Sequence, residues 1–109
     1  MSSPSSPLRS VYAEDQEFGD LIQLFVAELP ERIATIDQTL ADQDLSGLRS
    51  IAHQLKGAGG GYGFTEITDA GRKLERLAET ADAEVQEDID RVTAAAKELV
   101  DLCHRATAD

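Results

Sequence analysis

The sequence contains a single cysteine, Cys103, so the chain can form neither an intramolecular disulfide nor a zinc site built from several cysteines. It also has no run of about 18 apolar residues, and its first ten residues lack the apolar segment of a signal peptide. Basic residues number only 10 against 21 acidic ones, and the resulting formal net charge of −11 argues against binding to a nucleic-acid backbone. We therefore expect a cytoplasmic protein that binds neither nucleic acid nor a membrane. We also expect it to be a monomer.

Aromatic residues make up only 5% of the chain, and Leu, Ile, Val, Ala and Glu dominate, which favours an all-helical fold. The first seven residues, MSSPSSP, are too rich in Ser and Pro to bury a core, and we predict that they are mobile. Leu8, Val11 and Tyr12 predict a short turn or helix over one end of the fold. Residues 1–15 are therefore assigned to a leader and short N-terminal segment, and residues 16–109 to one folded domain.

The first amphipathic helix is predicted over about residues 16–43. Its apolar stripe comprises Phe18, Leu21, Ile22, Phe25, Leu29, Ile33, Ile36 and Leu40. Pro30 interrupts this stripe, and a proline inside a helix kinks or breaks it. Because the stripe keeps its phase across Pro30, we favour one long kinked helix. The alternative is two helices that separate at residues 28–31.

Three further helices are predicted over about residues 45–61, 65–79 and 83–106. Asp44 or Ser46 can cap the second helix, Thr65 the third and Asp82 the fourth. Cys103 lies in the middle of the last apolar stripe, which makes it a small core residue rather than a reactive thiol. No stretch is typical of a strand. Four amphipathic helices joined by short loops predict an antiparallel, up-down-up-down four-helix bundle.

The second predicted helix ends in a run of glycines, within the sequence IAHQLKGAGGGYGF at residues 51–64. Each glycine in a helix costs roughly 1 kcal/mol relative to alanine, so stability alone does not account for the run. On a helical wheel His53 lies about 140° from the centre of the apolar face, toward solvent. Arg49 lies one turn before it, and Gly57 and Gly60 follow it on the same side.

This arrangement suits a reaction at the imidazole of His53. A neutral imidazole nitrogen is a competent nucleophile near pH 7, and the nearby Lys56 ammonium could attract a phosphoryl group. Gly57 and Gly60 would leave room for a partner protein, and Arg49 is a further candidate for partner binding. The sequence offers no second histidine or carboxylate cluster at ligand spacing to hold a metal on His53. An ordinary surface histidine beside a frayed or closely packed helix end is the alternative.

The segment His53-Gln54-Leu55-Lys56-Gly57, followed by AGGGYGF, resembles the signature of histidine-containing phosphotransfer (HPt) domains. In particular, it is similar to the phosphorylatable first domain of chemotaxis-type histidine kinases. The resemblance is dense over residues 51–78 and extends as a helix pattern over residues 16–106. It implies that His53 accepts a phosphoryl group from a receiver aspartyl phosphate, or from a kinase, and passes it to another receiver aspartate. It also implies that Lys56 stabilises the phosphate and that Gly57 leaves space.

The resemblance implies a role for Glu75 as well, because the family often has Glu or Gln in the next helix, hydrogen-bonded to the non-reacting ring nitrogen. Glu75 lies about 80° from the centre of its helix's apolar stripe and could reach the histidine helix. A carboxylate accepting from Nδ1–H would orient the imidazole and leave Nε2 to attack. The alternative is an ordinary salt bridge between Glu75 and Arg72, one turn back.

Together these features predict a phosphocarrier rather than an enzyme, with no cofactor of its own. Its expected partners are response-regulator receiver domains or a hybrid histidine kinase, and Mg²⁺ is expected to come from the receiver. Two alternatives stay open. The chain could be the substrate domain of a larger histidine kinase, or a helical adaptor that docks a receiver without accepting phosphate.

Overall fold

The computed structural model describes residues 6–109, so the predicted mobility of the first five residues lies outside the described range. The described residues form a four-helix bundle, in agreement with the predicted all-helical fold. They also form two very short strands, which were not predicted. The elements are β1 (Leu8–Arg9), α1 (Gly19–Ala41), α2 (Leu45–Gly61), α3 (Thr65–Thr80), α4 (Gln86–Arg105) and β2 (Ala106–Thr107).

The core lies between the apolar faces of the four helices. Its largest fully buried side chains are Phe64, Ile22, Leu29, Ile36, Leu48, Leu55, Ile67, Leu74, Leu99 and Val92. Cys103 is also buried, as predicted, and desolvation raises the pKa of its thiol to about 12, so it stays protonated. Leu21 was wrongly assigned to the buried stripe, since it is 44% exposed. It lies about 80° from the centre of the positions that α1 buries.

Helix α1 runs through Pro30 without interruption, so the alternative of two separate helices is wrong. Pro30 is exposed, and the buried positions of α1 continue on both sides of it. Helix α2 packs against α1 and α3, and α4 packs against α3 and α1. Within residues 6–109, no helix is both long and apolar enough to cross a membrane.

The cap predicted at Asp44 is confirmed, because its carboxylate accepts a hydrogen bond of 2.9 Å from the backbone N–H of Gly47. The cap predicted at Thr65 is wrong, since α3 begins at Thr65 and Phe64 occupies the cap position without a side-chain bond. Phe64 is fully buried, and its carbonyl accepts a hydrogen bond of 3.1 Å from the backbone N–H of Thr68, which starts the helix one residue earlier.

The cap predicted at Asp82 is also wrong, because α4 begins only at Gln86. Asp82 instead takes part in the preceding turn. Its Oδ1 accepts from the backbone N–H of Glu84 at 2.9 Å, and its own N–H donates to Asp88 at 2.9 Å. These local hydrogen bonds stabilise the turn, so the helix begins farther along the chain.

The strands β1 and β2 were not predicted, since a two-residue strand is too short to show alternation. They pair in parallel, with Leu8 opposite Ala106. The buried hydroxyl of Ser10 then donates to the carbonyl of Tyr62 at 2.6 Å, and the N–H of Val11 donates to the carbonyl of Gly63 at 2.9 Å. The N-terminal segment therefore lies over one end of the fold, as expected, at the α2–α3 turn. It forms one of the two predicted structures, a turn, together with a strand that was not predicted.

Candidate functional site

Helix α2 directs His53 away from the core. Its buried residues are Leu48, Ile51, Ala52, Leu55 and Gly59, which form the opposite face of the helix. The side chain of His53 is 67% exposed, in agreement with its position on the helical wheel. A partner protein can therefore approach the ring without any rearrangement of the core.

Helix α3 brings Glu75 to the histidine. Burial of the neighbouring Leu74 fixes the helix face, and the Glu75 side chain, only 16% exposed, lies between α3 and α2. Its Oε2 lies 2.6 Å from Nδ1 of His53. Arg72 donates to Asp69 at 3.2 Å, so the ordinary Arg72–Glu75 salt bridge considered as an alternative is not formed.

The second oxygen of Glu75 is bound by Lys56, whose Nζ donates to Oε1 at 2.6 Å. This bond was not expected from the sequence, which suggested only that Lys56 reaches toward a phosphate. The Lys56 ammonium, followed by the bond from His53, lowers the pKa of Glu75 from its ordinary value of 4.5. Glu75 is therefore an ionised carboxylate at neutral pH with one oxygen for each of its two partners.

The bond between Glu75 and His53 has a chemical consequence. An ionised carboxylate can only accept hydrogen bonds, so the bond requires the proton of a neutral imidazole to be on Nδ1. The lone pair then belongs to Nε2, the nitrogen that Glu75 does not contact. The arrangement presents an oriented imidazole with Nε2 as its nucleophilic atom.

The outward glycines differ from one another. A Cβ atom at Gly57 or Gly61 would meet no heavy atom within 4 Å, so these positions border open space. Gly60 is exposed too, but a Cβ there would lie 3.3 Å from the hydroxyl of Thr68. The close approach of α3 is therefore a second reason for glycine at position 60. Gly59 is buried against α3, as a packing glycine should be.

Arg49 lies on the other side of His53, at an open depression of about 430 Å³. The depression is lined by Ser46, Arg49, Ser50, His53, Gln54 and Glu75. Arg49 is well exposed, and its Nη2 lies 4.0 Å from Oε1 of Glu79, a distance that holds it only loosely. Arg49 therefore borders the same surface as the imidazole.

Two residues near the site were missed by sequence reasoning. Thr68 donates from its hydroxyl to the backbone carbonyl of Lys56 at 3.0 Å, which links α3 to the helix of His53. Gln54 accepts a hydrogen bond of 2.5 Å from Arg32 of α1. Thr68 precedes Glu75 by two helical turns and so shares its face, which was the signal available in the sequence. Across residues 6–109, no three His, Cys, Asp or Glu side chains are grouped as a metal site would require.

Comparison with protein families agrees with this geometry. The model of the Hpt domain family matches residues 20–108, which include nearly all of α1 and the whole of α2, α3 and α4. Comparison with curated proteins gives no match. Comparison with solved structures gives none either.

Proposed function

Because this chain belongs to the Hpt domain family, we propose that it carries phosphoryl groups on His53 in a phosphorelay. It accepts the group from the aspartyl phosphate of a receiver domain, or from a kinase, and passes it to the aspartate of another receiver. The observation that carries this proposal is the 2.6 Å contact between Glu75 and Nδ1 of an exposed His53. It leaves Nε2 as the atom that takes up phosphate.

The transfer is a displacement at phosphorus. The lone pair of His53 Nε2 attacks, the N–P bond forms, and the P–O bond to the aspartate breaks, with its electron pair returning to the aspartate carboxylate. The ring becomes cationic while its Nδ1 proton stays hydrogen-bonded to Glu75. The negative charge of Glu75 therefore stabilises the charge that develops on the ring. Transfer onward is the reverse reaction with another aspartate.

The neighbouring residues support the approach of the partner. Lys56, held 2.6 Å from Glu75, provides an ammonium beside the imidazole that can turn to a phosphoryl oxygen. Gly57 borders open space, and Gly60 places no side chain on the surface between His53 and the end of α2. Arg49 offers a cation to the partner on the opposite side. We assign Mg²⁺ to the receiver, because clustered carboxylates are the ligands that this ion requires.

The proposal also includes the direction of the helices and a bend in α1. The connections between α1 and α2, α2 and α3, and α3 and α4 are short, at residues 42–44, 62–64 and 81–85. Consecutive helices that pack together across such short connections are expected to run antiparallel. We also propose that Pro30, which has no N–H to donate, bends α1. The chain acts stoichiometrically as a carrier, taking up one phosphoryl group at a time.

The test is phosphorylation by a receiver domain loaded with a small-molecule phosphodonor. We expect acid-labile, alkali-stable phosphate on the wild-type chain and none on His53→Gln. His104→Gln is the matched control, because His104 is the other histidine and is exposed at the end of α4. Unchanged labelling of His53→Gln would refute the mechanism. Binding of the receiver without any labelling of the wild-type chain would instead indicate an adaptor.

A further inference from the structure

The hydrogen bond between Glu75 and His53 depends on how closely α2 and α3 approach. A Cβ atom added to Gly71 of α3 would lie 3.0 Å from the carbonyl oxygen of Ala52 and 3.0 Å from the backbone nitrogen of Lys56. These two groups form one turn of α2, and His53 lies in that turn. At Gly71 the backbones of the two helices are therefore in direct contact.

A second close contact lies farther along the same interface. A Cβ atom at Gly59 would lie 3.0 Å from the Thr68 hydroxyl and 3.1 Å from the Thr68 backbone nitrogen. That hydroxyl donates to the carbonyl of Lys56 at 3.0 Å. Gly71, Gly59 and the Thr68 bond thus hold α3 against the segment of α2 that carries His53 and Lys56.

Glu75 follows Gly71 by about one turn of α3, so its distance from α2 is set by this contact. Both of its oxygens already form bonds of 2.6 Å, one to each neighbour on α2. A contact of 3.0 Å is tighter than nearly all real Cβ contacts, so a methyl group at Gly71 requires the two helices to separate by a few tenths of an ångström. The obstructing atoms belong to the backbone and cannot rotate away. A separation of that size lengthens the Glu75–His53 contact beyond its 2.6 Å and so weakens the preference for a proton on Nδ1.

We propose that Gly71, assisted by Gly59, is a positioning residue for the phosphoacceptor histidine. By permitting backbone contact between α3 and α2, it sets the distance at which Glu75 holds the proton of His53 on Nδ1. Gly71 touches no reacting atom and acts only through Glu75. This inference deepens the phosphocarrier function proposed above, but its direct readout is the protonation pattern of the resting imidazole.

The test is the tautomer of His53, measured by ¹⁵N NMR of the unphosphorylated protein at a pH where the imidazole is neutral. The wild-type ring is expected to carry its proton on Nδ1. Gly71→Ala is expected to shift the population toward the Nε2-protonated form and to slow phosphorylation by a loaded receiver. A folded Gly71→Ala protein with the wild-type tautomer would overturn the proposal.

Two controls separate positioning from stability. Gly61→Ala makes the same substitution where a Cβ meets nothing within 4 Å, and it should keep the wild-type tautomer. Val92→Ala removes buried methyl groups from α4 and should lower stability without changing the tautomer. A tautomer change in Val92→Ala equal to that in Gly71→Ala would attribute the effect to general loosening and overturn the proposal.

If Gly71→Ala does not fold, Gly59→Ala provides the test, because an added methyl group there separates the same two helices. A shift toward the Nε2-protonated form supports the proposal, and a folded Gly59→Ala protein with the wild-type tautomer overturns it. If the expected tautomers are found but the wild-type chain takes up no phosphate, the positioning role stands and the proposed phosphocarrier function fails.

Discussion

Glu75 links the two residues that the sequence singled out on α2. One of its oxygens binds His53 and the other binds Lys56, each at 2.6 Å. The resemblance indicated Glu75 as the partner of the histidine, and the structure brings the two side chains together. The Lys56–Glu75 bond could not be predicted, because it depends on the separation of two helices rather than on spacing within one. The roles of these residues in transfer stay predictions.

Replacing Glu75 by Gln tests the importance of its charge. The amide oxygen can still accept from Nδ1–H, but it no longer neutralises a cationic ring. Since charge-assisted hydrogen bonds are about 1 kcal/mol stronger than neutral ones, phosphorylation by a loaded receiver should slow by roughly 5–10-fold. Rapid-quench labelling measures the rate, with Glu66→Gln, on the exposed start of α3, as the control. Equal rates for wild type and Glu75→Gln would exclude an electrostatic role.

The lowered pKa of Glu75 also predicts how stability depends on pH. Because its folded-state pKa lies below the ordinary value of 4.5, the Glu75 carboxylate stabilises the fold above the unfolded-state pKa. This contribution is lost as the pH falls through the lowered folded-state pKa. The difference in unfolding free energy between wild type and Glu75→Gln should therefore shrink as the pH falls below the ordinary value of 4.5 and through the lowered folded-state pKa.

Urea titrations at a series of pH values measure that difference. Lys56 is the main cause of the lowered pKa, so the same comparison in a Lys56→Met background should vary less with pH. A difference between wild type and Glu75→Gln that is constant over the whole range would contradict the prediction.

At the scale of the helices, periodicity predicted the number of helices and most of their bounds. Helix α2 begins and ends where the sequence indicated, because Asp44 caps its start and Gly63, with a positive φ of 84°, turns the chain just after its end. The starts of α3 and α4 were predicted less well. Helix α3 begins early because Phe64 is drawn into the core, and α4 begins late because Asp82 takes part in a turn. Both effects arise from contacts beyond the local sequence.

The sequence left two candidates for the N-terminal cap of α2, Asp44 and Ser46, and their substitution distinguishes them. Asp44→Ala should lower the free energy of unfolding by about 1 kcal/mol, since it leaves the N–H of Gly47 without its acceptor. Ser46→Ala should have little effect, because Ser46 lies inside the first turn of α2. Chemical denaturation of the two variants measures both values. The opposite ranking would show that Ser46 provides the cap.

At the scale of the whole molecule, the two ends of the described chain are joined. The parallel pair of β1 and β2 is supplemented by Arg105, whose Nε donates to the carbonyl of Ser6 at 2.8 Å. Leu8 is only 5% exposed and belongs to the core. The sequence indicated that Leu8 lies over the fold but not that it pairs with residues near position 106, since nothing local connects positions so distant in the chain.

Truncation of Leu8 tests whether this N-terminal segment contributes to folding. Leu8→Ala should lower the free energy of unfolding by about 2–5 kcal/mol, as expected when a buried leucine is cut back. Val11→Ala is the control, because Val11 is 66% exposed in the same segment and should have little effect. Equal stabilities of the two variants, measured by thermal unfolding, would mean that the segment is not part of the cooperative fold.

The open surface over the end of α2 also has a consequence for amide hydrogen exchange. At Gly57 and Gly61 a Cβ atom would meet no heavy atom within 4 Å, so solvent reaches the backbone on this outward side of the helix. Amides of these last turns should exchange faster than those between Leu48 and Leu55, where the helix is backed by buried side chains. A receiver seated over His53 should slow exchange in this segment, and mass spectrometry would then map its footprint even without phosphate.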